Sequence, residues 1–180
     1  MWQIVTYPAA KALTVDEAKR HLRILDSSFD TLIGEYIDSA QMMLYKETNV
    51  ICTPMEFKQT YQVWEDFDFN LDPFTSVIIQ YYDVDDNIQT LPTAKYKVYD
   101  GAFPVVFTPT DMPALFDRAN PIIVNVVCGY AAAPDNVKQC LRMIVADLYE
   151  NTQTDVQGNY SVLSRNTDYQ LSLISRRAGV

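Results

Sequence analysis

The chain has one histidine, five glycines and three cysteines in 180 residues, and each shortage removes a class of chemistry. His21 lies in a basic stretch beside Arg20 and Arg23, the setting of an exposed or capping histidine rather than of a general base. No GxSxG elbow, HExxH pair or P-loop occurs, so the inventory points away from an enzyme. The glycines at 34, 101, 129, 158 and 179 are too scattered to form a phosphate-cradling loop. Cys52, Cys128 and Cys140 show no CxxC spacing and are odd in number, which fits free buried thiols better than a disulfide framework or a zinc site. Basic residues are also scarce, 14 against 23 acids, for a net charge of −9. A protein that grips nucleic acid needs a basic footprint to neutralise phosphates, although an acidic one can still lie beside DNA. No apolar run approaches the roughly 20 residues of a membrane span. Met1–Val5 lacks the basic and apolar regions of a signal peptide. We therefore expect a soluble protein, made in the cytoplasm, with no cofactor and no metal.

What is present is a core. Apolar residues make up 48% of the chain, and the length suits one domain carrying an insertion or an arm. Thr14-Val15-Asp16-Glu17 reads as a capping box, with Thr14 and Glu17 satisfying each other's backbone N–H, and the helix it opens is expected to end near Leu25. A second helix is predicted over 29–48, where Phe29, Leu32, Ile33, Tyr36, Ile37, Ala40, Met43 and Leu44 recur at spacings of three and four. Asn49, which tolerates a left-handed backbone, is its expected stop. A third follows Pro134-Asp135, with Val137, Cys140, Leu141, Ile144, Val145, Leu148 and Tyr149 on one stripe.

Between the second and third helices the residues are β-branched or aromatic and punctuated by prolines. Val77–Tyr82, an acidic turn at 83–87 and a run to Leu91 read as one hairpin; Tyr96–Tyr99 and Phe103–Phe107 read as another. Ile122–Cys128 reads as a buried strand. The fold class is accordingly α+β. A helical body (1–50 and 131–151) carries an inserted antiparallel β sandwich or barrel of five to seven strands (51–130), and a C-terminal arm (152–180) follows.

Two acidic patterns invite a chemical reading. Asp83-x-Asp85-x-Asn87 mimics half a calcium loop, but Ile88 and Ala94 stand where that loop needs glycine and glutamate. A solvated hairpin tip is the better assignment. Glu65, Asp66, Asp68 and Asp72 are interleaved with Trp64, Phe67, Phe69 and Phe74, the pattern of a segment with one wet and one apolar face.

Three segments together resemble the head–tail connector (adaptor) proteins of tailed bacteriophages, in the longer version with a β insertion. They are Leu13-Thr-Val-Asp-Glu-Ala-Lys-Arg-His-Leu-Arg23; the helix from Asp30 through Ile33, Ile37 and Ala40 to Thr48-Asn49; and Val124-x-Val126-x-Cys128-Gly129-Tyr130 followed by Pro134-x-x-Val137-Lys138-Gln-Cys140-Leu141 through Asn151. The second helix of the family commonly ends in Thr-Gly, where this chain has Thr-Asn. The resemblance spans about residues 13–151. It implies a virion structural protein at the head–tail interface, a homo-oligomeric ring usually of about twelve subunits. The ring would sit beneath the portal protein, extend the DNA channel without reading its sequence, and dock the next neck or tail protein.

The charge distribution agrees with a conduit. Residues 152–180 carry Arg165, Arg176 and Arg177 against Asp155 and Asp168, so the arm is +1 on a body of −10. Arg165, Tyr169, Leu171, Leu173, Ile174, Arg176 and Arg177 are the expected portal-binding set on that arm. The base-free acidic stretch that starts with Glu65, Asp66 and Asp68 is a candidate channel wall, where repulsion lets DNA slide. The same residues suit a solvated outer face. The alternatives are another neck or tail ring, such as a stopper or tail terminator, and a soluble monomeric binding module that uses the β insertion.

Overall fold

The computed structural model describes residues 2–8, 10–99, 105–107 and 111–150. The chain forms two compact units, each built from discontinuous sequence. Among the described residues one comprises 10–53 and 130–150, and the other comprises 2–8 and the described part of 54–129.

The first unit is helical. Helix α1 (Val15–Leu22) opens on the capping box: the Glu17 N–H donates to Thr14 Oγ1 at 3.1 Å and the Thr14 N–H donates to Glu17 Oε2 at 2.9 Å. Together these satisfy two of the backbone donors that a helix start leaves open, a contribution of about 1 kcal/mol. The helix stops at Leu22 rather than near Leu25, because Arg23 adopts a left-handed backbone (φ 58°) and its N–H closes on the Lys19 carbonyl. A 3-10 turn at Ser27–Phe29, capped by Asp26, leads into α2 (Asp30–Thr48). Asn49 ends α2 in the left-handed conformation (φ 59°), its N–H donating to the Tyr45 carbonyl at 2.8 Å. Helix α3 (Asp135–Glu150) completes the unit.

The apolar stripes read from the sequence meet, except that Phe29 and Leu32, read as part of the α2 stripe, are exposed. Ile33, Ile37, Ala40 and Leu44 of α2 share one buried cluster with Val137, Cys140, Leu141, Ile144 and Val145 of α3, and Leu13 and Ala18 close it from the α1 side. Polar contacts set where α1 and the residues before it lie against α2. The Ala12 N–H donates to the buried Gln41 Oε1 at 2.6 Å, Lys19 pairs with Asp30 at 2.6 Å, and Lys11 pairs with Asp38.

The second unit holds two antiparallel sheets. The larger has the order β1-β2-β8-β4-β5, made of β1 (Gln3–Thr6), β2 (Met55–Tyr61), β4 (Phe74–Tyr82), β5 (Ile88–Thr90) and β8 (Ile122–Cys128). The smaller has the order β3-β7-β6, made of β3 (Phe67–Asp68), β6 (Lys97–Tyr99) and β7 (Val105–Phe107). Both expected hairpins are present, β4 with β5 and β6 with β7. β8 is the central strand, with Ile122, Val124, Val126 and Cys128 all buried on one face. Its register sets Val126 between Phe57 of β2 and Val77 of β4. After β8, Gly129 takes φ 125°, a conformation open to glycine, and its N–H donates to the Pro73 carbonyl at 2.8 Å. Among the described residues no helix is long and apolar enough to cross a membrane.

Candidate assembly surfaces

Helices α1 and α3 flank an open groove lined by Glu17, Arg20, His21, Gln139 and Arg142. Glu17 is committed to its own unit: besides the Thr14 contacts, it lies 3.5 Å from Lys138 Nζ and 3.9 Å from Arg142 Nη2. Its carboxyl is held below the usual glutamate value, chiefly by the Thr14 N–H and, less strongly, by Lys138. Arg142 also donates to Gln139 Oε1 at 3.3 Å. Arg20 and His21 are exposed, and their side chains have no hydrogen-bond or ion-pair partner among the described residues. The groove therefore presents positive charge whose only acidic neighbour in the lining is already occupied.

The β4–β5 turn is the second surface. The Asp83 carboxylate organises it. Oδ1 accepts from the N–H groups of Asp85 and Asn87 at 3.0 Å each, and Oδ2 accepts from Gln89 Nε2 at 2.9 Å. The Asn87 N–H, with Gln89 next, holds the Asp83 carboxyl below its ordinary value. Asp86 (φ 60°) accepts from Arg118 Nη1 at 3.0 Å, and that guanidinium lies 3.7 Å over the Tyr82 ring. The half-calcium-loop pattern is thus a turn whose first acid is used by backbone and side-chain donors. Among the described residues no group of three or more His, Cys, Asp or Glu side chains gathers as metal ligands. Val84 and Ile88 remain 61% and 53% exposed at this tip, with Asp85 exposed between them.

Burial sorts the acidic–aromatic segment into two faces. Phe67 is fully buried with its ring 4.3 Å from that of Tyr61, and Phe69 stacks on Phe74 at 5.3 Å and meets Trp2 at 5.9 Å. Trp64 Nε1 donates to the Pro113 carbonyl at 2.9 Å. Glu65, Asp66 and Asp68 are all exposed. The Tyr61 hydroxyl is pushed up to about 12, first by burial and then by the negative charges of Asp68 and Glu65. Arg165, Tyr169, Leu171, Leu173, Ile174, Arg176 and Arg177 lie outside the described residues.

No sequence pattern singles out the groove or the projecting tip as an assembly surface. Arg20-His21 and the Gln139/Arg142 pair, three apart on α3, are each visible in the sequence. That α1 and α3 lie side by side is not.

No family model matches the chain, and no curated protein is similar to it in sequence. Its fold, however, recurs in solved particles. A chain in the neck of an empty gene transfer agent (GTA) particle, computed with C6 symmetry, is similar with a TM-score of 0.78 and 16% identity, covering 97% of this chain and 95% of that one. A chain in the virion of a native GTA particle gives 0.77 and 15%, with 97% and 95% covered. One in the neck of a native GTA particle computed with C12 symmetry gives 0.72 and 16%, with 97% and 94% covered. The chain shares the α+β fold of these three.

Proposed function

We propose that this protein is a structural head–tail connector of a phage-like particle, a neck component that assembles as a ring under the portal. The observation that carries the reading is end-to-end likeness to neck chains, 97% of this chain on 95% of a neighbour at a TM-score of 0.78, in necks computed with C6 and C12 symmetry. Symmetry of that order means heterologous contacts, in which one side of a subunit meets a different side of the next. The negative net charge supports a passage for DNA rather than a grip on it.

In this reading the C-terminal arm, 152–180, holds the portal through Tyr169, Leu171, Leu173 and Ile174, with Arg165, Arg176 and Arg177 supplying charge. Mixing the protein with portal and imaging the complex by electron microscopy tests the role. A ring on the portal is expected, and a chain that remains monomeric beside portal overturns the role. Deleting 152–180 should abolish co-sedimentation with portal; undiminished binding removes the arm from the account.

Glu65, Asp66 and Asp68 are assigned to the channel wall. Exposure, freedom from nearby bases in sequence and interleaving with buried aromatics support this: Asp68 lies on β3, and Glu65 and Asp66 lie in the irregular segment that leads into it. Neutralising all three to the amides should slow DNA ejection from the particle. Unchanged retention and ejection would place them on an outer face.

A further inference from the structure

We propose that the β4–β5 hairpin tip of one copy inserts into the α1/α3 groove of the next copy, setting Asp85 against Arg20 and Arg142. The inference rests on the connector reading and deepens it by naming the two sides of the ring contact.

Three observations lead to this pairing. First, the groove is a cationic receptor that its own unit leaves open. Arg20 and His21 have no side-chain partner among the described residues, and the one carboxylate in the lining, Glu17, is shared among Thr14, Lys138 and, at 3.9 Å, Arg142. Second, the tip is an acidic knob with apolar shoulders. Val84 and Ile88 are more than half exposed, and the Asp85 side chain has no hydrogen-bond or ion-pair partner among the described residues, whereas Asp83 is spent inside the turn and Asp86 on Arg118. Third, the knob is already rigid. Three donors on Asp83, and Arg118 clamped between Asp86 and the Tyr82 ring, fix its shape before any partner arrives. Preorganisation of this kind lowers the ordering cost of association.

The groove's ligand is a protein carboxylate rather than a DNA phosphate. A DNA contact draws on several cations to displace counterions. Here two arginines and one histidine surround a glutamate, on a chain of net charge −9. A second copy is the occupant because the two surfaces are complementary in charge and both belong to this chain. Such a pair of unlike patches generates a ring when the rotation closes.

The pairing predicts a result that a folding defect cannot imitate. Asp85→Lys alone should place like charges at every contact, and so should Arg20→Glu alone. Each should lower the fraction of protein in rings on portal by at least about tenfold. Mixed in equal amounts, the two variants can alternate around the ring. Each lysine-bearing tip then meets a glutamate-bearing groove, each unsubstituted tip meets an unsubstituted groove, and rings should return. The double variant should also assemble by itself. Native mass spectrometry and electron microscopy read all four cases. If the unmodified chain forms no ring, the connector reading has failed. If it does, and the single variants assemble as well as it does or the mixture fails to recover, this contact is wrong. A change in DNA retention by Arg20→Glu with intact rings would make the groove a phosphate site instead, and would also overturn the proposal.

Discussion

Phe57→Ala is expected to destabilise the β unit by about 3–5 kcal/mol. Phe57 is fully buried on β2, directly opposite Val126 of the central strand and Ile4 of the edge strand β1. Truncation removes the transfer energy of the ring and leaves a hole that neighbours pinned on two ladders cannot collapse to fill. A whole domain is stable by only about 5–15 kcal/mol, so the loss is a large fraction of the total. Urea titration followed by tryptophan fluorescence should show a midpoint shift of that size, because Trp2 and Trp64 both belong to this unit. Thermal unfolding should begin roughly 10 °C lower. A shift below about 1 kcal/mol would mean that Phe57 is not part of a close-packed core.

Alkali is expected to be the second strong perturbation. All three thiols are buried. Burial pushes Cys52 and Cys128 up to about 12 and Cys140 up to about 11, from an ordinary value of 9.0. The folded state therefore keeps protons that the unfolded chain has released. This contribution is present in full below pH 9 and is lost as the pH climbs towards the folded values. Each thiol withdraws about 1.4 kcal/mol per pH unit across that window. Three together remove several kcal/mol by about pH 11, and Tyr61 adds to the loss above about 10. Urea midpoints measured at about pH 8, 9.5 and 10.5 should fall steeply, and Cys52→Ala with Cys140→Ala should flatten the slope. Midpoints that stay level across this range would contradict the burial of the thiols.

The helical unit is legible in the sequence because its elements are long and its signals local. The α2 and α3 stripes and the Thr14/Glu17 box each lie within a few turns of chain, and the structure realises them apart from Phe29 and Leu32 at the start of the α2 stripe, which are exposed. β1 is illegible for the opposite reason. Gln3–Thr6 is four residues long at an edge, and what makes it a strand is its partner Glu56–Lys58, some fifty residues away. β3 is two residues long and exists only through β7. The acidic–aromatic alternation at 64–69 correctly announces a two-faced segment, and the burial of Phe67 and Phe69 bears that out. The groove could not be read at all, since its walls lie about 120 residues apart in sequence and meet only once the helices have packed.

The strand order has a consequence for how the protein is made. β8 is the last of the described strands to be synthesised and the one at the centre of the five-stranded sheet, between β2 and β4. At cellular translation rates β2 leaves the ribosome roughly 3–13 s before β8. During that interval β2 and β4 each wait with one backbone edge unfilled, and Phe57 and Ile79 lack their cross-strand neighbours Val126 and Val124. The newborn chain is therefore most prone to mispair with its neighbours just before residue 122 emerges. A chaperone that engages aromatic-rich strands would act on this intermediate rather than on the finished fold.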